Sequence, residues 1–207
     1  MDIDHPYAYS TELHLKNVTE SKIITIGHVG SLGIRKNGHL IYSLAERHRR
    51  KISNGTLRYW AVGPVEDNVL QYKNSYVTEF SNKEFGQYIS REVFDQKIKE
   101  IDYAVFLYAQ DQFIFRASGT ILDVINFTKP IIAMKHPFFD YLTSQVGNIG
   151  FLCANLDDMA SLISRLAERD EVLLAQYGQQ QSNLHKFKQK HSIDSIAEDL
   201  RAQLLIK

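Results

Sequence analysis

Asp102-Tyr103-Ala104-Val105-Phe106-Leu107-Tyr108 carries one acid and then six uncharged, mostly apolar residues with no polar alternation. Both faces of such a segment must be covered, which is the pattern of a central strand in a parallel sheet. Parallel neighbours need crossovers, so helical stretches are expected on either side. Upstream, Lys22 to Val29 (KIITIGHV) is rich in β-branched residues and stops at a glycine. Leu57 to Val62 (LRYWAV) closes at Gly63-Pro64, and Tyr76 to Phe80 makes a short third strand. Downstream, Lys129 to Met134 and Ile149 to Cys153 supply two more.

The intervening stretches have helical spacing. Asn37 to Lys51 places Leu40, Ile41, Leu44 and Ala45 on one face and ends in a basic turn. Glu84 to Ile101 fits one or two helices, and Ser118 to Phe127 fits another. Asp157 to Leu205 reads as helices interrupted near Gly178 and Lys190. Alternation of this kind predicts an α/β fold: a single doubly wound Rossmann-like domain with a central parallel sheet and a helical C-terminal tail. It spans residues 21–207, with residues 1–20 as a preceding segment. Ligands of such domains sit at the carboxyl ends of the strands, where the strand order reverses.

Composition narrows the function classes. The chain has 207 residues, 44% hydrophobic and 23% charged, with 24 basic against 24 acidic side chains. Zero formal charge argues against nucleic-acid binding through bulk positive charge. One cysteine, Cys153, precludes an internal disulfide and a multi-cysteine zinc site, and it suits a reducing, cytoplasmic setting. No secretory leader is visible, and no apolar run approaches the ~20 residues of a membrane span.

Two loops have the chemistry of an anion site. Gly27-His28-Val29-Gly30-Ser31-Leu32-Gly33-Ile34-Arg35-Lys36-Asn37 leaves the first strand with three glycines and two cations. Glycine permits close backbone approach, and Arg35 and Lys36 supply charge. The spacing matches neither the dinucleotide nor the P-loop fingerprint, so a tight turn with solvated cations is the competing reading. The second loop is Arg116-Ala117-Ser118-Gly119-Thr120-Ile121-Leu122-Asp123. Ser118 suits an N-cap, the Gly119 and Thr120 amides point out of the helix start, and Arg116 adds charge. Ile121, Leu122 and Ile125 turn to the core, which puts Gly119, Thr120 and Asp123 on another face. Asp123 lies one turn behind the amides, placed to accept from a ribose; otherwise Ser118 merely caps and Asp123 is surface.

These stretches together resemble the C-terminal, donor-binding domain of retaining GT-B-fold glycosyltransferases. The glycine loop is similar to the family's G-x-x-x-x-x-K-[GN] segment, with Gly30 as its glycine and Lys36 as its lysine. Ser118 to Val124 followed by Lys129-Pro130-Ile131-Ile132 resembles G-x-x-x-x-E-A…-[GK]-P-[VI]-[VI], with Asp123 on the ribose-binding acid. Gly147 to Met159 resembles the G-x-G…D-x-x-x-L tail, so the likeness covers nearly the whole chain. It implies a nucleotide-sugar donor held at its diphosphate by Gly30, Ser31, Arg35, Lys36, Arg116, Ser118, Gly119 and Thr120. Asp123 would hold the ribose, Tyr88 or Ile89 would flank the base, and no cofactor or metal is implied. Phe115 stands where a second acid is usual, and Ser31 where arginine is frequent. A complete enzyme of this kind also needs an N-terminal acceptor domain. His5-Pro6-Tyr7 resembles the junction with one, so that domain is expected in cis or in trans, and the chain alone is expected inactive. The alternative is a non-catalytic domain of the same fold that has lost donor binding.

The other conspicuous residues have plainer readings. His28 and His136 flank the ligand edge and could be structural or ligand-facing. His185, His191 and the cluster Lys186, Lys188, Lys190 read as solvated helix surface, and Cys153 as core. The basic run Glu46 to Lys51 suits a helix end, with peripheral contact to anionic lipid as its other use.

Overall fold

The computed structural model describes residues 7–10, 12, 15–81, 89–108 and 119–205. The expected strands form in six places: β1 (Ile24–Val29), β2 (Leu57–Val62), β3 (Val77–Phe80), β4 (Tyr103–Phe106), β5 (Ile131–Met134) and β6 (Gly150–Cys153). All pairings are parallel, in the order β3-β2-β1-β4-β5-β6. The order reverses between β1 and β4, which opens a crevice at their carboxyl ends.

The DYAVFLY segment divides as a central strand must. Tyr103, Val105 and Leu107 enter one buried cluster, and Ala104, Phe106 and Tyr108 enter the other. The first cluster lies under α1 (Leu40–Arg47), α6 (Leu156–Ala167) and α7 (Glu171–Leu174). The second lies under α3 (Arg91–Glu100), α4 (Gly119–Asn126), α5 (Pro137–Val146) and part of α8 (Tyr177–Lys190). Helices on both faces explain why so few strand residues are polar.

Several expectations need correction. The stretch expected as one helix from Asn37 to Lys51 divides into α1 and α2 (Arg49–Ser53), and a separate 3₁₀ turn at Ile34–Lys36 precedes it. His48 sits at the break between α1 and α2, 4% exposed, with its ring nitrogens 2.8 Å from the Leu44 carbonyl and 2.9 Å from the Ala160 carbonyl. Burying a ring with two polar atoms requires partners, and carbonyls of α1 and α6 supply them. Helix α5 has no counterpart among the helices expected from spacing. It starts at Pro137, and the Phe138 N–H donates to His136 Nδ1, so His136 is a buried cap. Leu122 is only half-buried, Val124 taking its expected place in the core.

The C-terminal helices part near Gly178, where α7 gives way to α8, and near Lys190, where α8 gives way to α9 (Ile193–Leu205), as expected. The solvated reading of α8 fails at two positions. Lys188 is 4% exposed, its ammonium donating to the Glu12 and Asn126 carbonyls. His191 is equally buried, its ring 3.8 Å from that of Phe187. Cys153 is buried as expected, and burial pushes its thiol up to about 11. Among the described residues no helix is long and apolar enough to cross a membrane.

Candidate nucleotide site

A cleft of about 400 Å³ opens at the strand-order reversal. It is lined by Gly30 and Ser31 after β1, Gly63 and Pro64 after β2, Ile89, Arg91 and Phe94 at the start of α3, and Thr120 and Asp123 on α4. Five residues singled out in the sequence therefore come together: Gly30, Ser31, Ile89, Thr120 and Asp123. Gly119 opens α4 and is exposed. Arg116, Ser118 and Tyr88 lie outside the described residues.

Glycine is required where the two loops meet. Gly30 has φ +91°, and a Cβ there would stand 2.5 Å from Thr120 Oγ1. Gly63 has φ +128°, and its Cβ would stand 2.7 Å from the Gly30 carbonyl oxygen. Any side chain at either position would be strained by its backbone and would push the loops apart. Gly119 differs, since a Cβ there meets nothing within 4 Å. Gly119→Val is therefore expected to leave the fold intact while placing a branched side chain over the outward-facing amides of α4. Circular dichroism should be unchanged, and calorimetric titration should lose the binding of a nucleoside diphosphate expected from the sequence. Full retention of binding would put the anion elsewhere.

The cations of the first loop are not on the wall of this cleft; they are held beside Glu66, in the connection after β2. Ser31 Oγ donates to Glu66 Oε1 at 2.7 Å, and Asn68 Nδ2 donates to Oε2 at 2.9 Å. Those bonds, helped by the charges of Lys36 and Arg35, hold the Glu66 carboxyl below its ordinary value. Burial lowers the Lys36 ammonium, and Glu66 opposes that shift. His28 lies close by, fully buried, and burial with the Lys36 charge pushes it down to about 4. It is a neutral ring packed near Gly38.

Arg91 was not expected from the spacing. Its guanidinium bonds Asp95 at 2.8 Å and Asp123 at 2.8 Å, and it lies 5.4 Å from the Phe94 ring centroid. A cation in the first turn of a helix opposes the helix dipole, so it needs compensating acids. That misfit, with Asp95 four residues on, is the sequence signal that would have found it. Tyr7 is the other unexpected partner, its hydroxyl 2.5 Å from Asp123 Oδ1. Burial first, and then the carboxylate, push its phenol up to about 12. Nothing local in the sequence joins residues 116 positions apart.

No protein-family model and no curated protein matches the sequence. Solved structures do match. HepE from Anabaena, crystallised with UDP and glucose, superposes with a TM-score of 0.65 at 14% identity over 98% of this chain and 55% of its own. TarM gives 0.59 at 19% identity over 97% of this chain and 37% of its own. The C-terminal domain of the glycosyl transferase group 1 protein LpcC from Francisella tularensis gives 0.58 at 15% identity, over 89% of this chain and 96% of that domain. The chain thus spans little more than a third of TarM and about half of HepE, and nearly the whole of the LpcC domain. Its fold is that of the C-terminal domain of GT-B glycosyltransferases.

Proposed function

We propose that this chain, having that fold, binds a nucleotide-sugar donor and serves as the donor half of a glycosyltransferase. The observation that carries the reading is the cleft at the strand-order reversal, where Gly30 approaches the start of α4 and Asp123 stands one turn behind. A departing nucleoside diphosphate needs its developing negative charge stabilised by fixed dipoles and cations. The α4 amides and Arg116 are assigned to that task, joined by Arg35 and Lys36 once the diphosphate draws them from Glu66 into the cleft, and Asp123 is assigned to the ribose. Ile89 and Tyr88 are assigned to the base. The reading calls on no metal, because cations and amides carry the compensation. HepE, with UDP and with UDP-glucose bound, supplies the analogy for the ligand class. In this reading the sugar acceptor, a saccharide or a lipid-linked one, is held by an N-terminal domain in cis or in trans, and the transfer takes place in the cytoplasm.

A second reading, a domain of the same fold that has lost donor binding, is favoured by one observation. Among the described residues, each charged group of the site is engaged within the chain: Glu66 beside Lys36 and Arg35, and Tyr7 and Arg91 on Asp123. Titration by nuclear magnetic resonance separates the readings. Lys36→Ala is expected to weaken UDP far more than uridine, because it removes a charge-assisted contact to phosphate. Asp123→Asn should weaken both ligands by a similar amount, about 1–3 kcal/mol. Added salt should erode the contribution of Lys36, a half-buried group, more than that of Asp123. Equal effects of Lys36→Ala on the two ligands would remove it from the phosphate site. Absence of any nucleotide binding would leave the second reading.

A further inference from the structure

Asp123 is already engaged by a segment remote in sequence. Its Oδ1 accepts from the Tyr7 hydroxyl at 2.5 Å and from the Arg91 guanidinium at 2.8 Å. Three residues further along α4, Asn126 Oδ1 accepts from the Ser10 N–H at 2.7 Å. Tyr9 packs its ring 4.8 Å from that of Tyr7 and lies against the second core cluster. Residues 7–10 therefore run along α4 with two polar anchors, and the first anchor is on the acid of the cleft.

A phenol donating to a carboxylate does the same chemistry as a ribose hydroxyl donating to it. Asp123 Oδ1 already takes two short bonds, one for each of its lone pairs, so a ribose that offers its two neighbouring hydroxyls across both carboxylate oxygens needs one of those bonds to leave. Arg91 keeps a second partner in Asp95 and belongs to the folded start of α3, whereas Tyr7 reaches the site from the chain before β1. Tyr7 is the group that can be exchanged at lower cost. We infer that the Tyr7 hydroxyl is an intramolecular competitor for the ribose, and that a nucleotide with free ribose hydroxyls binds by displacing it from Asp123. This rests on the donor-binding reading, and it gives that site a built-in latch whose release is coupled to residues 7–10.

Calorimetric titration of the whole chain and of Tyr7→Phe tests it, with UDP and 2′,3′-dideoxyuridine diphosphate as ligands. Phenylalanine keeps the ring and its packing and removes only the competing hydroxyl. UDP is expected to bind Tyr7→Phe about tenfold more tightly, the scale of a hydrogen bond to a charged group. The dideoxy ligand, which has no hydroxyl to offer Asp123, is expected to bind both proteins equally. In the parent chain, UDP should also speed hydrogen exchange at the Ser10 amide. Equal or weaker UDP binding by Tyr7→Phe, an equal gain for both ligands, or unchanged Ser10 exchange would each overturn the latch while leaving donor binding in place. Failure of both proteins to bind UDP, GDP or ADP would overturn the donor-binding reading and the latch with it.

Discussion

Gly30→Ala is expected to abolish measurable UDP binding and to destabilise the domain by about 1–3 kcal/mol, the scale for a non-glycine residue held in a disfavoured backbone region. Two effects coincide there. The backbone has φ +91°, and the new methyl would stand 2.5 Å from Thr120 Oγ1. Relief requires the loop after β1 to move away from the start of α4, which widens the cleft where the phosphate amides are assigned. Gly55 is the control. It also has positive φ, at +77°, but a Cβ there meets nothing within 4 Å. Gly55→Ala should carry the backbone strain without the collision, and it should leave UDP binding untouched. Urea denaturation beside calorimetric titration reads both quantities. Identical behaviour of the two variants would mean that the approach of Gly30 to Thr120 has no bearing on the site.

Asp102→Ala should have the larger effect on stability, about 3–5 kcal/mol, as for removal of one partner from a buried ion pair. Asp102 is completely buried; its Oδ2 accepts the Thr25 N–H at 2.7 Å, and its Oδ1 lies 2.6 Å from the Lys16 ammonium. Truncation leaves that N–H without its acceptor and deprives a cluster of cations of its acid. Lys129 belongs to the cluster, 1% exposed, its ammonium 2.6 Å from the Lys99 carbonyl oxygen. Burial first, then repulsion by Lys16, push it down to about 7 against the pull of Asp102. Between about pH 7 and the ordinary lysine range the unfolded chain therefore binds more protons at Lys129 than the folded one. Stability contributed there rises with pH through that window. The rise should begin at lower pH in Asp102→Ala, where the acid no longer opposes the downward shift of Lys129. With a domain stability of about 5–15 kcal/mol, the loss shows as a large drop in the urea midpoint. A loss below about 1 kcal/mol would mean that water, not Asp102, satisfies these groups. Asp102→Asn, which keeps an acceptor for Thr25, should fall between.

The corrections have separate physical causes. Lys188 and His191 look solvated because helical spacing and charge report only the face a helix presents, and a charged face is exposed by default. Burial of the Lys188 ammonium depends on two carbonyls, at Glu12 and Asn126, that no local pattern connects to it. Helix α5 was missed for a different reason. Its signals are a proline at the first helical position and a histidine cap, and His-Pro beside a strand end reads equally well as a loop.

The six strands, the parallel sheet, and the placing of a glycine loop and Asp123 at its carboxyl edge can be read from the order of the residues alone. Those follow from short-range rules: runs buried on both faces, helical periodicity, and glycine where backbone must approach backbone. Only the tertiary structure decided which charge answers which. Glu66 faces Lys36 across two connections, Arg91 reaches Asp123 from α3, and Tyr7 reaches it from 116 residues away. Side-chain pairing is a contact made through space after the sheet has closed. It depends on a few ångströms and leaves no period in the sequence to be read.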